Sequence, residues 1–402
     1  MALPAAVHPP AIGAVVYPPE RRPERLLAGF AAALSSRGFR LGGVLQETSA
    51  GDMVLTDLDG GARLSIRQNL GSGSSACALD ASALAEASGA LRRALAAGVD
   101  LLFVNKFSAQ EQSGGGFADE MLAAMAGGVP LLTAVPAALV EHWRDFTGGR
   151  GDLLMPDEAA LWRWWGPRRL YQDLALGVPD VPVERVVVGL GFTLVEGPDG
   201  IGLARTPETA AGCSAAPDAG RQRGRSLREL AGLVHSWNPF ELALGVAACN
   251  AHYNRFDLAA EETNGLDVLA REDSPVVIGG FPGIARRLPG ARVIERRPAP
   301  GEYPEEAAEW LLPAAEAVVV TSSALANRSL PRLLALARDA RIVLVGPGAP
   351  LTPRLFDYGI AALSGVVALD GDGLARAVAE GGGARDIRHY CRPATLRRSG
   401  WE

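Results

Sequence analysis

The sequence predicts an α/β protein built from an amino-terminal parallel-sheet domain, a small α+β domain and a carboxy-terminal parallel-sheet domain. Three observations point there. Short apolar runs alternate with amphipathic helical stretches along residues 12–135, and again along 276–369. Between them VERVVVGLGFTLVEG is rich in β-branched residues and runs into the turn Gly197-Pro198-Asp199-Gly200. The 402 residues, 48% hydrophobic and 21% charged, suffice for two or three buried cores.

The elements follow in order. Residues 12–17 read as a buried strand, after which Leu26, Leu27, Phe30 and Leu34 fall on one helical face. Gly38 punctuates the turn before a strand at 41–45. Residues 53–57 and 63–68 flank Asp59-Gly60-Gly61, a hairpin signal. Residues 81–97 form a helix stopped by Gly98, and 101–105 and 131–135 are apolar strands. Residues 1–150 are thus one α/β domain. A junction at 151–182 carries Trp162, Trp164 and Trp165, with Trp162 and Trp165 on one helical face, and reads as a helix packed on the first domain or between domains. The second domain spans 183–272. Its stretch 210–224 reads as a loop, Ser226 and Glu229 match a capping box, and a helix runs over 239–252. The third domain spans 273–402, with strands at 276–279, 292–295, 317–321, 342–345 and 365–369 in a Rossmann-like alternation.

Composition excludes several functions. A net charge of -6 without a Lys/Arg run argues against nucleic acid. The four cysteines, Cys77, Cys213, Cys249 and Cys391, are far apart, so neither a disulfide framework nor a zinc knuckle is expected. The first twenty residues make a poor signal peptide and no apolar run reaches membrane-spanning length, so a cytoplasmic protein is expected.

Several motifs carry a family resemblance. VVVGLGFTLVEG, GLARTP, GRSLRELAGL and NPFELALGVAACNA are followed in order by VIGGFPG, ERRPAPGEYPEEA, AEAVVVTSSALANRSL, VLVGPGAPLTPRLFDYG and SGVVALD. This order resembles the putative heavy-metal chelation family. The resemblance implies an enolase-N-terminal-like domain paired with a Rossmann-like domain, and a ligand cleft. AVVY, GGVLQ, DMVLTDL, SGSSACALD and DLLFVNKFSAQEQSGGGF resemble an uncharacterised bacterial domain linked to molybdenum uptake and nitrogen fixation. That domain is in turn similar to P-loop nucleoside triphosphatases. No GxxxxGK[ST] follows the first strand here, and VVYPPERRPER offers no glycine cradle for a phosphate.

In an open parallel sheet, ligands settle outside the carboxyl ends of the strands. In the third domain those ends bring Gly280, Glu295, Thr321, Asn327 and Gly346 to one rim. Glycines permit close backbone approach, and the acid, hydroxyl and amide supply polar contacts. The same residues serve equally well as turns and caps. Asn250, within GVAACNA, is expected to face the domain boundary. Cys249 and His252 share a helical face; with Glu295 they form a candidate metal site, and the reading set against it is a buried helix cysteine beside a satisfied histidine. GGFPG is not a dinucleotide fingerprint. In the first domain Asn105, Lys106 and Glu111 follow an apolar strand, where a lysine suits an oxyanion. Cys77 lacks a histidine close in sequence, so no catalytic residue is expected.

The resulting expectation is a protein that binds a transition metal, molybdate or a metal-bearing cofactor. Its partners would be that small ligand, a second copy of itself, or a protein of a metallocofactor pathway. Two alternatives stand beside it: a nucleotide-dependent enzyme, and a delivery scaffold using an exposed tryptophan surface.

Overall fold

The computed structural model describes residues 11–49, 52–66, 81–208, 218–269 and 274–400. The chain forms two compact units that meet in sequence at Trp165 and Gly166. Each is described by itself.

The amino-terminal unit is a seven-stranded sheet: β1 Ile12–Tyr17, β2 Leu41–Ser49, β3 Asp52–Asp57, β4 Arg63–Ser65, β5 Leu101–Val104, β6 Leu131–Pro136 and β7 Asp152–Leu154. Their order is β4-β3-β2-β5-β6-β1-β7. β2, β5, β6, β1 and β7 are parallel, and the β3–β4 hairpin turns at Asp59-Gly60-Gly61 as its sequence predicts. The continuous apolar runs LLFV and LLTAV occupy the centre, where both faces are covered. On one face Ile12, Val44, Leu102, Val104 and Leu131 pack against Ala87, Leu91 and Ala94 of the helix Ala81–Ala97. Gly42 admits that helix, since a Cβ there would stand 2.4 Å from the Ala94 Cβ.

The tryptophans correct one expectation. Trp162 and Trp165 are 4% and 5% exposed. They lie edge-on to Phe30 and Phe39, each pair with centroids 5.2 Å apart. Rings of this size bury readily against aromatic neighbours, so the exposed platform expected of a scaffold is not there.

The carboxy-terminal unit begins with a three-stranded antiparallel sheet: β8 Arg185–Val188, β9 Phe192–Gly197 and β10 Gly200–Arg205, in the order β10-β9-β8. The VVVGLGFTLVEG run is two strands, because Gly189 to Gly191 breaks it into a hairpin. The helix Pro239–Tyr253 crosses β10 closely at Gly202, where a Cβ would come within 2.0 Å of the Ala247 carbonyl oxygen. Ser226 does not form the expected capping box. Its hydroxyl donates to Asp180 instead, and Glu229 faces Arg225 at 3.6 Å. The expected loop at 210–224 lies largely outside the described residues, as do Cys77 and Cys213.

A six-stranded sheet follows: β11 Val276–Ile278, β12 Arg292–Ile294, β13 Ala317–Thr321, β14 Arg341–Val345, β15 Ile360–Ala368 and β16 Cys391–Arg397. The order is β12-β11-β13-β14-β15-β16. The first five are parallel, and β16 closes the edge antiparallel to β15. Phe192, Leu194, Ile201 and Leu203 of the small sheet share one core with Ala368, Leu374 and Val378. Buried Asp173 ties the unit further, accepting hydrogen bonds from Arg354 at 2.6 Å and Tyr358 at 2.9 Å. Among the described residues no helix is long and apolar enough to cross a membrane.

Candidate functional site

The order β12-β11-β13 reverses direction at β11, so the carboxyl ends of β11 and β13 bound the switch-point crevice of the six-stranded sheet. Gly279 ends β11 with φ +97°, and its missing Cβ leaves room for the Thr321 side chain at the end of β13. Only glycine takes that backbone readily. Gly346 repeats the device after β14, where a Cβ would stand 2.4 Å from the Ser322 hydroxyl. The Ser322 hydroxyl in turn accepts from the Gly348 amide at 3.2 Å. Three loops therefore meet around the hydroxyls of Thr321, Ser322 and Ser323.

Glu295 joins the same rim from β12. One carboxylate oxygen accepts from the Gly280 amide at 3.0 Å, the other from the Arg296 amide at 2.9 Å. The carboxylate thus shapes the loop between β11 and β12. Arg296 and Arg297 follow it at the surface, paired with Glu305 at 3.5 Å and Glu208 at 3.2 Å. Such exposed pairs are worth little and exchange readily for an incoming anion.

Asn250 is buried, 0% exposed. Its amide nitrogen donates to the carbonyls of Leu203 at 2.7 Å and Gly348 at 2.9 Å, so it stitches the crossing helix to β10 and to the β14 loop. Its amide oxygen has no hydrogen-bond partner among the described residues. Asn254, one turn on, repeats the stitch through Ala349, Val366 and Leu351. Asn327 is exposed, and its oxygen accepts from the Ser329 amide and hydroxyl. The structure thus brings Gly280, Glu295, Thr321 and Gly346 to one rim, sets Asn250 beneath it, and turns the Asn327 side chain to its own loop.

Among the described residues no three of His, Cys, Asp and Glu gather as metal ligands, so Cys249, His252 and Glu295 are not brought together. The chemistry of Cys249 agrees. The thiol is fully buried, and burial pushes its pKa up to about 12. The His252 ring rests edge-on against Tyr253, and burial lowers its pKa, with Arg255 and Arg354 adding to the shift. A cavity of about 690 Å³ lies elsewhere in the unit, beside β8, among Arg185, Val186, Val188, Gln222, Arg223 and Leu244, and includes none of the expected site residues.

In the amino-terminal unit, the end of β5 leads to Asn105, Lys106 and Phe107. Asn105 is buried, and among the described residues neither its amide oxygen nor its amide nitrogen has a hydrogen-bond partner. Phe107 is buried between Trp143 and Phe146, each ring 5.2 Å away. Glu111 is also buried, and its two oxygens bind the Ser108 amide at 2.9 Å, the Ser108 hydroxyl at 2.7 Å and the Phe117 amide at 3.1 Å. Glu111 therefore holds the loop that follows Lys106. The signal missed in the sequence is composition: Lys106 is the one lysine among the chain's 39 lysine and arginine residues.

Comparison with known proteins fits this architecture. A model of the family described as "Putative heavy-metal chelation" (DUF364) matches residues 264–397, and a companion model of the same description (DUF4213) matches 171–253. A crystal structure of a DUF364 protein of unknown function from Desulfitobacterium hafniense is 30% identical. It covers 57% of this chain and 97% of its own, with a TM-score of 0.52. The chain belongs to the DUF364 family. A second DUF364 structure, from Pyrococcus horikoshii, is 21% identical with a TM-score of 0.50 over 57% of this chain and 98% of its own, and shares the fold. The enolase-N-terminal-like and Rossmann-like pairing expected from sequence is the DUF364 fold.

Ahead of the DUF364 unit, residues 12–164 match the family "Protein of unknown function (DUF2478)". The amino-terminal similarity extends to the molybdenum import ATP-binding protein ModC 2 of Bradyrhizobium diazoefficiens, 42% identical over 167 residues. An uncharacterized protein of Methanocaldococcus jannaschii is 29% identical over 163 residues. These alignments take in 40% and 37% of this chain, and span 19% of the first relative's length and 62% of the second's.

Proposed function

We propose that this chain is a ligand-handling protein of molybdenum metabolism. Its DUF364 unit would bind molybdate, or the oxyanion end of a metal-bearing cofactor, at the β11–β13 rim. One observation carries this reading: two loops, after β11 and β14, that only glycine allows to approach so closely flank the hydroxyls of the β13 loop beside the sheet's switch point. Arg296 and Arg297 stand at its edge with replaceable partners. Hydroxyls, amides and guanidinium groups suit a tetrahedral oxyanion. They suit a bare transition metal less well, since it favours imidazole or thiolate, and among the described residues Cys249, His252 and Glu295 do not gather in one cluster. The similarity of the amino-terminal unit to a molybdenum importer's ATP-binding protein supports molybdenum as the element concerned.

Elemental analysis of the purified chain and calorimetry with molybdate, sulfate and phosphate test the proposal. Molybdenum should copurify or molybdate should bind saturably, and Thr321→Val should weaken binding about tenfold through one lost charge-assisted contact. No copurifying metal and no heat from any of the three anions would overturn it.

A further inference from the structure

In the amino-terminal unit we infer that Lys106 and Asn105 form a second binding point for a tetrahedral oxyanion, one that arginine cannot replace. The oxyanion is either free or the terminal phosphate of a nucleotide. The inference goes beyond the DUF364 rim and does not depend on it.

Composition is the first observation. Arginine takes every other strongly basic position in the chain, so whatever bias favours it has not displaced Lys106. A solvated surface cation would tolerate either residue. Position 106 is not such a surface. Asn105 before it and Phe107 after it are both buried, so the backbone is clamped on either side. The lysine itself is half-buried, and among the described residues no carboxylate pairs with it. Glu111 is close in sequence, but both its oxygens are committed to Ser108 and Phe117. An ammonium is compact and directs three donors from a point, whereas guanidinium is a flat fork that needs more width.

The Asn105 side chain is the second, independent observation. The residue is 2% exposed, and among the described residues both polar atoms of its amide lack a partner. Burying an unsatisfied amide costs free energy, and such groups persist where something outside the fold completes them. Asn105 directly precedes Lys106 in sequence, at the carboxyl end of a central parallel strand, where ligands of open sheets collect. The amide nitrogen and the ammonium would donate to oxygens of one anion.

A single lysine makes the test direct. The full chain is acylated with an amine-reactive ester, and modification at Lys106 is followed by peptide mass spectrometry. Molybdate, sulfate, phosphate and ATP are each titrated as protectants. Saturable protection by at least one is expected: by molybdate or phosphate if the anion is free, by ATP alone if it arrives on a nucleotide. Lys106→Arg should weaken the protecting anion's calorimetric affinity about tenfold or more. Asn105→Leu, similar in volume, should weaken binding and at the same time raise the thermal midpoint, which a merely structural asparagine would not do. Absence of protection by all four anions, or full affinity in Lys106→Arg, would overturn the inference. Thr321→Val should leave Lys106 protection unchanged. If it abolishes protection, the anion sits at the DUF364 rim and the second site falls.

Discussion

Each unit carries a parallel sheet with a buried asparagine near the strand ends, yet the two asparagines are in opposite states. Asn250 donates to two carbonyls from distant parts of the DUF364 unit and acts as a stitch. Among the described residues the Asn105 side chain has neither an acceptor nor a donor. The rims above them differ likewise. The DUF364 rim presents hydroxyls and backbone beside the Glu295 carboxylate, opened by Gly279 and Gly346. The amino-terminal rim has a proline pair after β1 and, after β5, a loop closed on itself by Glu111. The same polar residue type thus holds structure together in one unit and is a cost to structure in the other. Cost without structural return marks the more pointed candidate for binding.

The comparison breaks most easily at Asn250. Asn250→Ala strands the buried carbonyls of Leu203 and Gly348, each worth about 1–3 kcal/mol when unpaired. The DUF364 unit should lose about 3 kcal/mol, measured by urea unfolding with hydrogen exchange resolved by unit. A loss under about 1 kcal/mol would mean that water replaces the amide and that Asn250 is no stitch. Glu111→Ala comes next. It removes the acceptor of three hydrogen bonds, and the amino-terminal unit should lose about 2–3 kcal/mol in the same measurement. If Glu111→Ala instead leaves stability intact but abolishes anion protection of Lys106, the carboxylate belongs to the site rather than to the loop.

Much of this fold was legible in sequence, and the misses share one cause. The parallel strands are continuous apolar runs, so β5, β6, β13 and β14 stand out from their own residues. β16 does not, because CRPATLR is a half-exposed edge strand whose pattern is mixed. Ser226 reads as a cap, but Asp180, 46 residues away, takes its hydroxyl. Asn250 is expected to face the domain boundary, but the partners that hold its amide lie 47 and 98 residues away and leave no local trace. The candidate metal site failed similarly. The helical spacing of Cys249 and His252 is local, but the approach of Glu295 is a tertiary fact. The lone lysine was the reverse case, plain in the residue count and given meaning by the burial of its neighbours.

A smaller effect sharpens the contrast from the other side. Asn105→Leu should stabilise the amino-terminal unit by about 1 kcal/mol, since it removes a buried unsatisfied amide without changing volume greatly. Differential scanning calorimetry reads the sign. Destabilisation would show that the amide is satisfied after all, and the two asparagines would then be alike.

The smallest effect concerns pH and belongs to the DUF364 unit. Burial lowers the pKa of His252, with Arg255 and Arg354 adding to it, and burial with Arg328 lowers that of His235. The folded unit therefore resists protonation that the unfolded chain accepts below its ordinary value of about 6.5. Stability from these rings is complete above that value and is lost as pH falls through it, levelling off once the folded rings also protonate. Both rings are partly exposed, so solvent screens the effect and it should fall below the three substitutions above. Urea midpoints between about pH 7.5 and 5.5 should decline for this unit, and the paired change His235→Gln and His252→Gln should flatten the decline. The amino-terminal unit lacks these two imidazoles and serves as the internal control in the same samples. An unchanged slope in the double variant would assign the acid sensitivity to other groups and leave the two histidines as solvated rings.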